Sequence, residues 1–292
     1  MSHLIRHSPP GGPGRPDGPD DPGGADVPGG PRAPVPPAAT DDSGPGFGTG
    51  TSTGTAAGTG FGVPGLAHPL LAPAEWNALT RPGGVGLLHW VVLDVADGPG
   101  VQPDPSCLEA VGRLRNAGVR VLGRLDAAHG LRDFGGLVSD AHRFTDWYRA
   151  DGFLLDRCPA DRAALPAVRR AVRTLRAIRD GAHILLGHGT HPHPGHAEIA
   201  DQLVTFCGPW SDYRWSQVAE WTVDHPPERF CHLVHGVPRP HLEEALRVAR
   251  WQGAATVWFT DRTDRDSRVG PWEPLPGYWD DVVSQVGTGV SE

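Results

Sequence analysis

The chain has 292 residues, a net charge of −8 and a pI near 6.0, which argues against a nucleic-acid protein, whose footprint is a basic patch and a high pI. All 26 basic residues are arginine. The absence of lysine excludes Schiff-base barrel chemistry and P-loop phosphate binding, both of which require its amine.

In chain order, the first 60 residues contain 15 Gly and 12 Pro, the composition of aperiodic low-complexity chain that buries no core. Residues 1–61 are therefore read as a disordered tail and 62–288 as one domain. Within the tail, Gly46-Phe-Gly-Thr-Gly-Thr-Ser-Thr-Gly has neither a preceding strand nor a following helix. It is read as linker, not as a phosphate cradle. The opening residues lack the apolar centre of a signal peptide, and no run approaches the roughly 18 apolar residues of a membrane span. A cytoplasmic location without a membrane partner is the expectation.

Short apolar runs then alternate with helical patterns, the signature of parallel βα units. Strands are expected at 62–67, 86–94, 119–125, 152–156, 183–188, 202–206, 230–235 and 256–260, most continuously apolar, as strands buried on both faces are. Helices are expected at 73–79, 106–117, 139–149, 162–179, 211–221, 240–252 and 278–286; after the fifth strand only 196–200 has helical character. Arg169, Arg170, Arg173, Arg176 and Arg179 interleave with Leu165, Val168, Val172, Leu175 and Ile178 at helical spacing, which makes them a solvated face. Eight such units over roughly 230 residues predict a (β/α)8 TIM barrel. A doubly wound open sheet would carry G-x-G-x-x-G after its first strand, where this chain has Ala67-His-Pro-Leu-Leu.

In such a barrel, chemistry clusters at the strand C-termini. Those ends present His68, Asp94, Asp126 with His129, Asp156 with Arg157, His188, Cys207, His235 and Asp261, a polar pocket. About half of these are expected to cap helices or bond loop backbone, and Asp97 and Asp161 read as turn or capping residues. Trp90 is read as mid-strand core, whereas Trp258, Trp272, Trp279 and Tyr278 are candidates to stack on sugar or to attract an amino sugar's cation, Trp272 foremost.

Cys107, Cys158, Cys207 and Cys231 contain no C-x-x-C pair, so neither a zinc knuckle nor a disulfide framework is indicated. Cys207, with His188 or His235 as base, is a weaker nucleophile reading. His188, His191, His193 and His196 form a histidine-rich loop, but Pro192 and Pro194 prevent helical alignment of ligands. No metal and no cofactor are expected.

Gly62-Val-Pro-Gly-Leu-Ala-His-Pro with Ala74-Glu-Trp, Asp94-Val-Ala-Asp-Gly-Pro-Gly, Gly123-Arg-Leu-Asp-Ala-Ala-His-Gly-Leu-Arg, Trp147-Tyr-Arg-Ala-Asp-Gly-Phe-Leu-Leu-Asp-Arg, Gly187-His-Gly-Thr, Ala200-Asp-Gln-Leu-Val-Thr-Phe-Cys, and Trp258-Phe-Thr-Asp with Pro271-Trp-Glu-Pro-Leu-Pro-Gly-Tyr-Trp occur in this order. Together they resemble the spherulation-specific family 4, or spherulin-4-like, proteins from about residue 62 to 286. The resemblance implies a barrel with acidic catalytic residues that hydrolyses α-1,4-linked galactosamine-containing polysaccharide.

Glycoside cleavage generally needs two carboxyl groups flanking the bond. Asp156 matches the first of the family's adjacent acidic pair, while Arg157 and Cys207 stand where the family has its other acids. An arginine beside Asp156 favours the ionised form, the wrong state for a general acid. Asp94, Asp126 and Asp261 are candidate substitutes. The reading is a barrel that binds amino-sugar polysaccharide, with hydrolysis weakened or lost; a non-catalytic carbohydrate-binding module and, third, a metal-dependent hydrolase are the alternatives.

Overall fold

The computed structural model describes residues 58–264 and 270–288; the predicted tail, with its glycine-rich segment, lies almost wholly outside them. Eight strands, β1 (Gly60–Val63), β2 (Leu88–Leu93), β3 (Val121–Asp126), β4 (Gly152–Asp156), β5 (His183–Gly187), β6 (Gln202–Pro209), β7 (Phe230–His235) and β8 (Thr256–Phe259), form a closed barrel in sequence order. All pairs are parallel, and Gly60 opposite Thr256 closes the ring. The helices are α1 (Pro73–Ala78), α2 (Pro105–Asn116), α3 (Phe134–Tyr148), α4 (Leu165–Ile178), α5 (Trp210–Tyr213), α6 (Leu242–Trp251) and α7 (Trp279–Thr288). None of the described helices is long and apolar enough to cross a membrane.

Local chemistry explains both the agreements and the departures. Asp104 caps α2 by accepting the Cys107 N–H at 2.9 Å, with Pro105 at the first helical position. Val168, Ala171, Val172 and Leu175 are the buried stripe of α4, with its arginines turned outward. The first strand ends four residues before its predicted limit because Pro64 has no N–H for the ladder. The predicted helix 211–221 is confined to α5 because Ser216 Oγ donates to the Tyr213 carbonyl at 2.7 Å, while Gln252 Nε2 takes the Ser216 carbonyl at 3.1 Å; those acceptors are then satisfied without further helix. After β5 there is only a single 3-10 turn, Pro194–His196.

Toward the N-terminal ends of the strands, a polar chain crosses the barrel interior. Trp90 Nε1–H donates to Gln202 Oε1 at 2.7 Å. Gln202 Nε2 donates to Thr256 Oγ1 at 2.7 Å and to the Glu228 carbonyl at 2.9 Å, and Thr256 Oγ1 lies 2.7 Å from His89 Nδ1. Trp90 is therefore core, as its mid-strand position suggests. Gly62 leaves room for that indole, since a Cβ there would lie 2.2 Å from it, and Gly123 admits Phe144 of α3 against β3, where a Cβ would meet the ring at 2.4 Å.

Because Gln202 is buried and satisfies both an indole N–H and a hydroxyl, Gln202→Leu is expected to destabilise the barrel by about 1–3 kcal/mol, mainly through the orphaned Trp90 donor. Urea denaturation monitored by tryptophan fluorescence measures it; an unchanged midpoint would contradict the cross-barrel role.

Candidate functional site

The C-terminal ends of the strands surround a cavity of about 690 Å³ lined by residues from most of the βα loops, among them His68, Asp94, Arg124, His129, Asp156 and His188. Its dominant feature is a side chain that the strand-end reading overlooked. Arg124 points inward from the middle of β3, and its guanidinium lies between two carboxylates. Nη1 donates to Asp94 Oδ2 at 2.7 Å, while Nε and Nη2 donate to Asp156 Oδ2 at 3.0 and 2.8 Å. Burial opposes its charge, but Asp156 and Asp94 outweigh that and raise the Arg124 pKa.

The remaining oxygens of these acids are also engaged. Asp94 Oδ1 accepts the Gly98 N–H at 2.7 Å, and Asp156 Oδ1 accepts the Arg157 backbone N–H at 2.9 Å. The Arg157 guanidinium turns away from Asp156 to Asp126, with Nε donating to Oδ1 at 2.9 Å and Nη2 to Oδ2. Arg157 thus hydrogen-bonds its neighbour through the backbone and acts on it otherwise only through its charge, while the guanidinium bonded to Asp156 is that of Arg124. Burial would raise the Asp126 carboxyl, but bonds from Arg157 and the Ala128 N–H, with the Arg157 and Arg124 charges, hold it below its usual range.

These contacts depend on unusual backbone. Ala128, His129 and Arg157 all have φ between 45° and 55°, a left-handed conformation that L side chains rarely adopt and that concentrates at functional sites. The two loops are tied by Ala127 N–H to the Asp156 carbonyl (2.8 Å) and His129 N–H to the Arg157 carbonyl (2.9 Å).

Cys207 reaches the cavity through a bulge. Val204 pairs with Cys231 but Phe206 with His232, so Thr205 is an extra residue and both Val204 and Cys207 face the cavity. Desolvation and then the Asp156 charge push the thiol of Cys207, at the exposed rim, up to about 12, a direction that disfavours the thiolate a nucleophile needs.

Other predicted residues divide between wall and scaffold. Trp272 lines the cavity and meets His235 edge-on at 5.5 Å. Glu273, overlooked in sequence, lines the same wall and accepts the Gly270 N–H at 3.0 Å. Trp258 is fully buried against Trp279 at 5.6 Å, so its assignment to the mouth is corrected: its position within β8 turns it into the core. Trp279 and Tyr278 are buried too, the latter bonding the Val237 carbonyl. Asp261 is absent from the cavity wall and accepts the Gly277 N–H at 2.9 Å, a loop-fastening role. Asp161 accepts the Ala164 N–H ahead of α4, and Asp97 is an exposed left-handed turn residue.

Two histidine groups bear on metal binding. His68, Asp104 and Cys107 bring ligand atoms within 4.8 Å of one another. However, His68 Nδ1 accepts the Leu70 N–H at 3.2 Å, which puts the ring proton on Nε2, facing Asp104 Oδ1 at 3.3 Å. A metal on Nε2 requires the proton on Nδ1, where it would confront the Leu70 N–H; the trio fits a hydrogen-bonded helix start better than a metal centre. In the histidine-rich loop, His188 Nδ1 lies 3.1 Å from the Cys158 carbonyl, His193 Nδ1 accepts the Gly195 N–H, and His196 Nε2 lies 3.3 Å from the Asp161 carbonyl. Among the described residues, these four do not bring three ligand atoms together.

Burial, then the charge of His196, lowers His188 to about 4; burial, then Arg120, lowers His183 to about 4. A histidine whose folded pKa lies below its unfolded value loses stability as pH falls from the unfolded value toward the folded one. Unfolding free energy is therefore expected to decline between about pH 6.5 and 4, and His188→Gln to remove on the order of 1–3 kcal/mol of that decline. Denaturation across this range checks it; parallel wild-type and variant profiles would contradict the assignment.

A crystal structure of Aspergillus clavatus Sph3 in complex with GalNAc superposes with a TM-score of 0.69 at 19% identity, covering 80% of this chain and 99% of that one. Spherulin-4 of Physarum polycephalum is 22% identical over 150 residues, 51% of this chain and 45% of that protein, so the match spans less than half of the relative. The first likeness supports the barrel fold. The family model for spherulation-specific family 4 matches residues 63–286, and the chain belongs to that family.

Proposed function

We propose that this protein is a saccharide-binding barrel that holds an amino-sugar polymer, or a fragment of it, at the mouth and has lost the hydrolysis that the family resemblance implies. The observation that carries this reading is the capture of Asp156 by Arg124. A general acid must hold a proton toward the leaving oxygen, yet both Asp156 oxygens accept N–H bonds and an arginine occupies the gap to Asp94. A retaining pair needs that gap, ~5 Å wide, for the sugar. The positions that resemble the family's other acids carry Arg157 and Cys207.

Features favourable to binding remain. Trp272 supplies an aromatic wall, and Glu273 and the exposed Asp97 supply carboxylates toward a hydroxyl-rich or cationic sugar. Sph3 was crystallised with GalNAc, a sugar of the same class.

The test is calorimetry and reducing-end assay with partially deacetylated α-1,4-galactosamine oligomers. Wild type is expected to bind without releasing reducing ends, Trp272→Ala to lose at least about tenfold in affinity, and the triple variant Arg124→Tyr, Arg157→Glu, Cys207→Glu to gain release. Hydrolysis by wild type that disappears in Asp156→Asn would overturn the loss of catalysis, and absence of binding would overturn the saccharide reading itself.

A further inference from the structure

The opposite end of the barrel carries a second concave site. Where α2, α3 and α4 terminate beneath β3 and β4, a cavity of about 650 Å³ is lined by Arg115, Arg120, Arg149 and Arg179, with Asp151 the only carboxylate on its wall. An adjoining chamber of about 140 Å³ is enclosed by Arg115, Arg149, Arg179 and Thr145, roughly the liquid volume of four or five waters. The six-residue length of β3 separates Arg120 from the mouth by about 20 Å.

The charges here are poorly compensated. Asp151 lies 3.8 Å from Arg115 and 3.7 Å from Arg179, beyond hydrogen-bond distance, and its Oδ2 already accepts the Val121 N–H at 3.0 Å. Arg149, held in a left-handed conformation at the end of α3, has no carboxylate within ion-pair distance among the described residues. Three helix C-termini supply about half a negative charge each. Those partial charges and one carboxylate leave four guanidinium groups with an excess of about one and a half positive charges. Arg120 faces His183 Nδ1 at 3.5 Å, a contact that favours a neutral imidazole and leaves the guanidinium charge unpaired.

We infer that this basal pocket is a binding site for a compact phosphate-bearing anion, its tetrahedral oxygens held by Arg115, Arg149 and Arg179 and its remainder lying toward Arg120. Guanidinium forks match phosphate oxygens bidentately, and the small chamber suits one phosphate group. The net charge of −8 repels anions in general, so occupancy rests on this local arrangement.

The experiment is titration of the full chain with inorganic pyrophosphate and, separately, with a hexose phosphate, by calorimetry and thermal unfolding at constant ionic strength set by chloride. Saturable one-to-one binding and a rise in Tm are expected; tighter binding of the first probe identifies a free polyphosphate, of the second an esterified phosphate. Arg149→Gln and Arg179→Gln are expected to weaken binding at least tenfold with anion-free Tm retained, whereas Arg247→Gln, on the exposed face of α6, leaves it unchanged. Absence of saturation, a Tm rise reproduced by chloride alone, or equal affinity in Arg149→Gln would overturn the inference. Because saccharide binding is read at the mouth with Trp272→Ala, failure at either end is distinguishable from failure at the other.

Discussion

A guanidinium in the interior of a closed barrel must be matched by carboxylates, since an unpaired buried charge costs several kcal/mol. Arg124 imposes that condition on the upper half of this molecule. Its Nη1 contacts Asp94 and lies 3.7 Å from the exposed Asp97, and its other two nitrogens hold Asp156. Each acid then fastens backbone: Asp94 closes the turn to Gly98, and Asp156 aligns the Arg157 peptide. The left-handed residues at 128, 129 and 157 are held by a network that radiates from one side chain.

In the proposed reading, the same network separates binding from bond cleavage. Carboxylates that neutralise an arginine still accept hydrogen bonds from a sugar hydroxyl or ammonium at their free edges, but a leaving group needs a proton. The cavity, its tryptophan wall and the rim acids do not depend on Asp156 being available. The geometry therefore fits retention of a sugar more readily than turnover. Arg124 reaches Asp156 from beneath, out of the middle of β3.

Much of the fold was legible because buried parallel strands read as unbroken apolar runs: β4 and β7 coincide with their predicted spans, and β5 and β8 fall one residue short. Departures arose where one side chain redirected the backbone, as Pro64 did at the first strand and Ser216 and Gln252 did after α5. At the site, inspecting strand ends found Asp94 and Asp156 but overlooked Arg124, whose signal was a charge inside the apolar run Val121–Leu125. Glu273 had no such signal, because its approach to the cavity depends on how the loop after β8 folds back, with the Ala67 N–H on the Glu273 carbonyl.

The extra residue in β6 gives this ladder a tolerance that its neighbours lack. Removal of one residue from a regular strand exchanges its two faces beyond the deletion, which in a barrel sends lining side chains outward and core side chains inward. Around Thr205 the reverse holds: a chain shortened there returns to plain alternation with Val204 and Cys207 still facing inward. The sixth strand thus has a spare register position, through which its length can change while the side chain offered to the cavity stays in place.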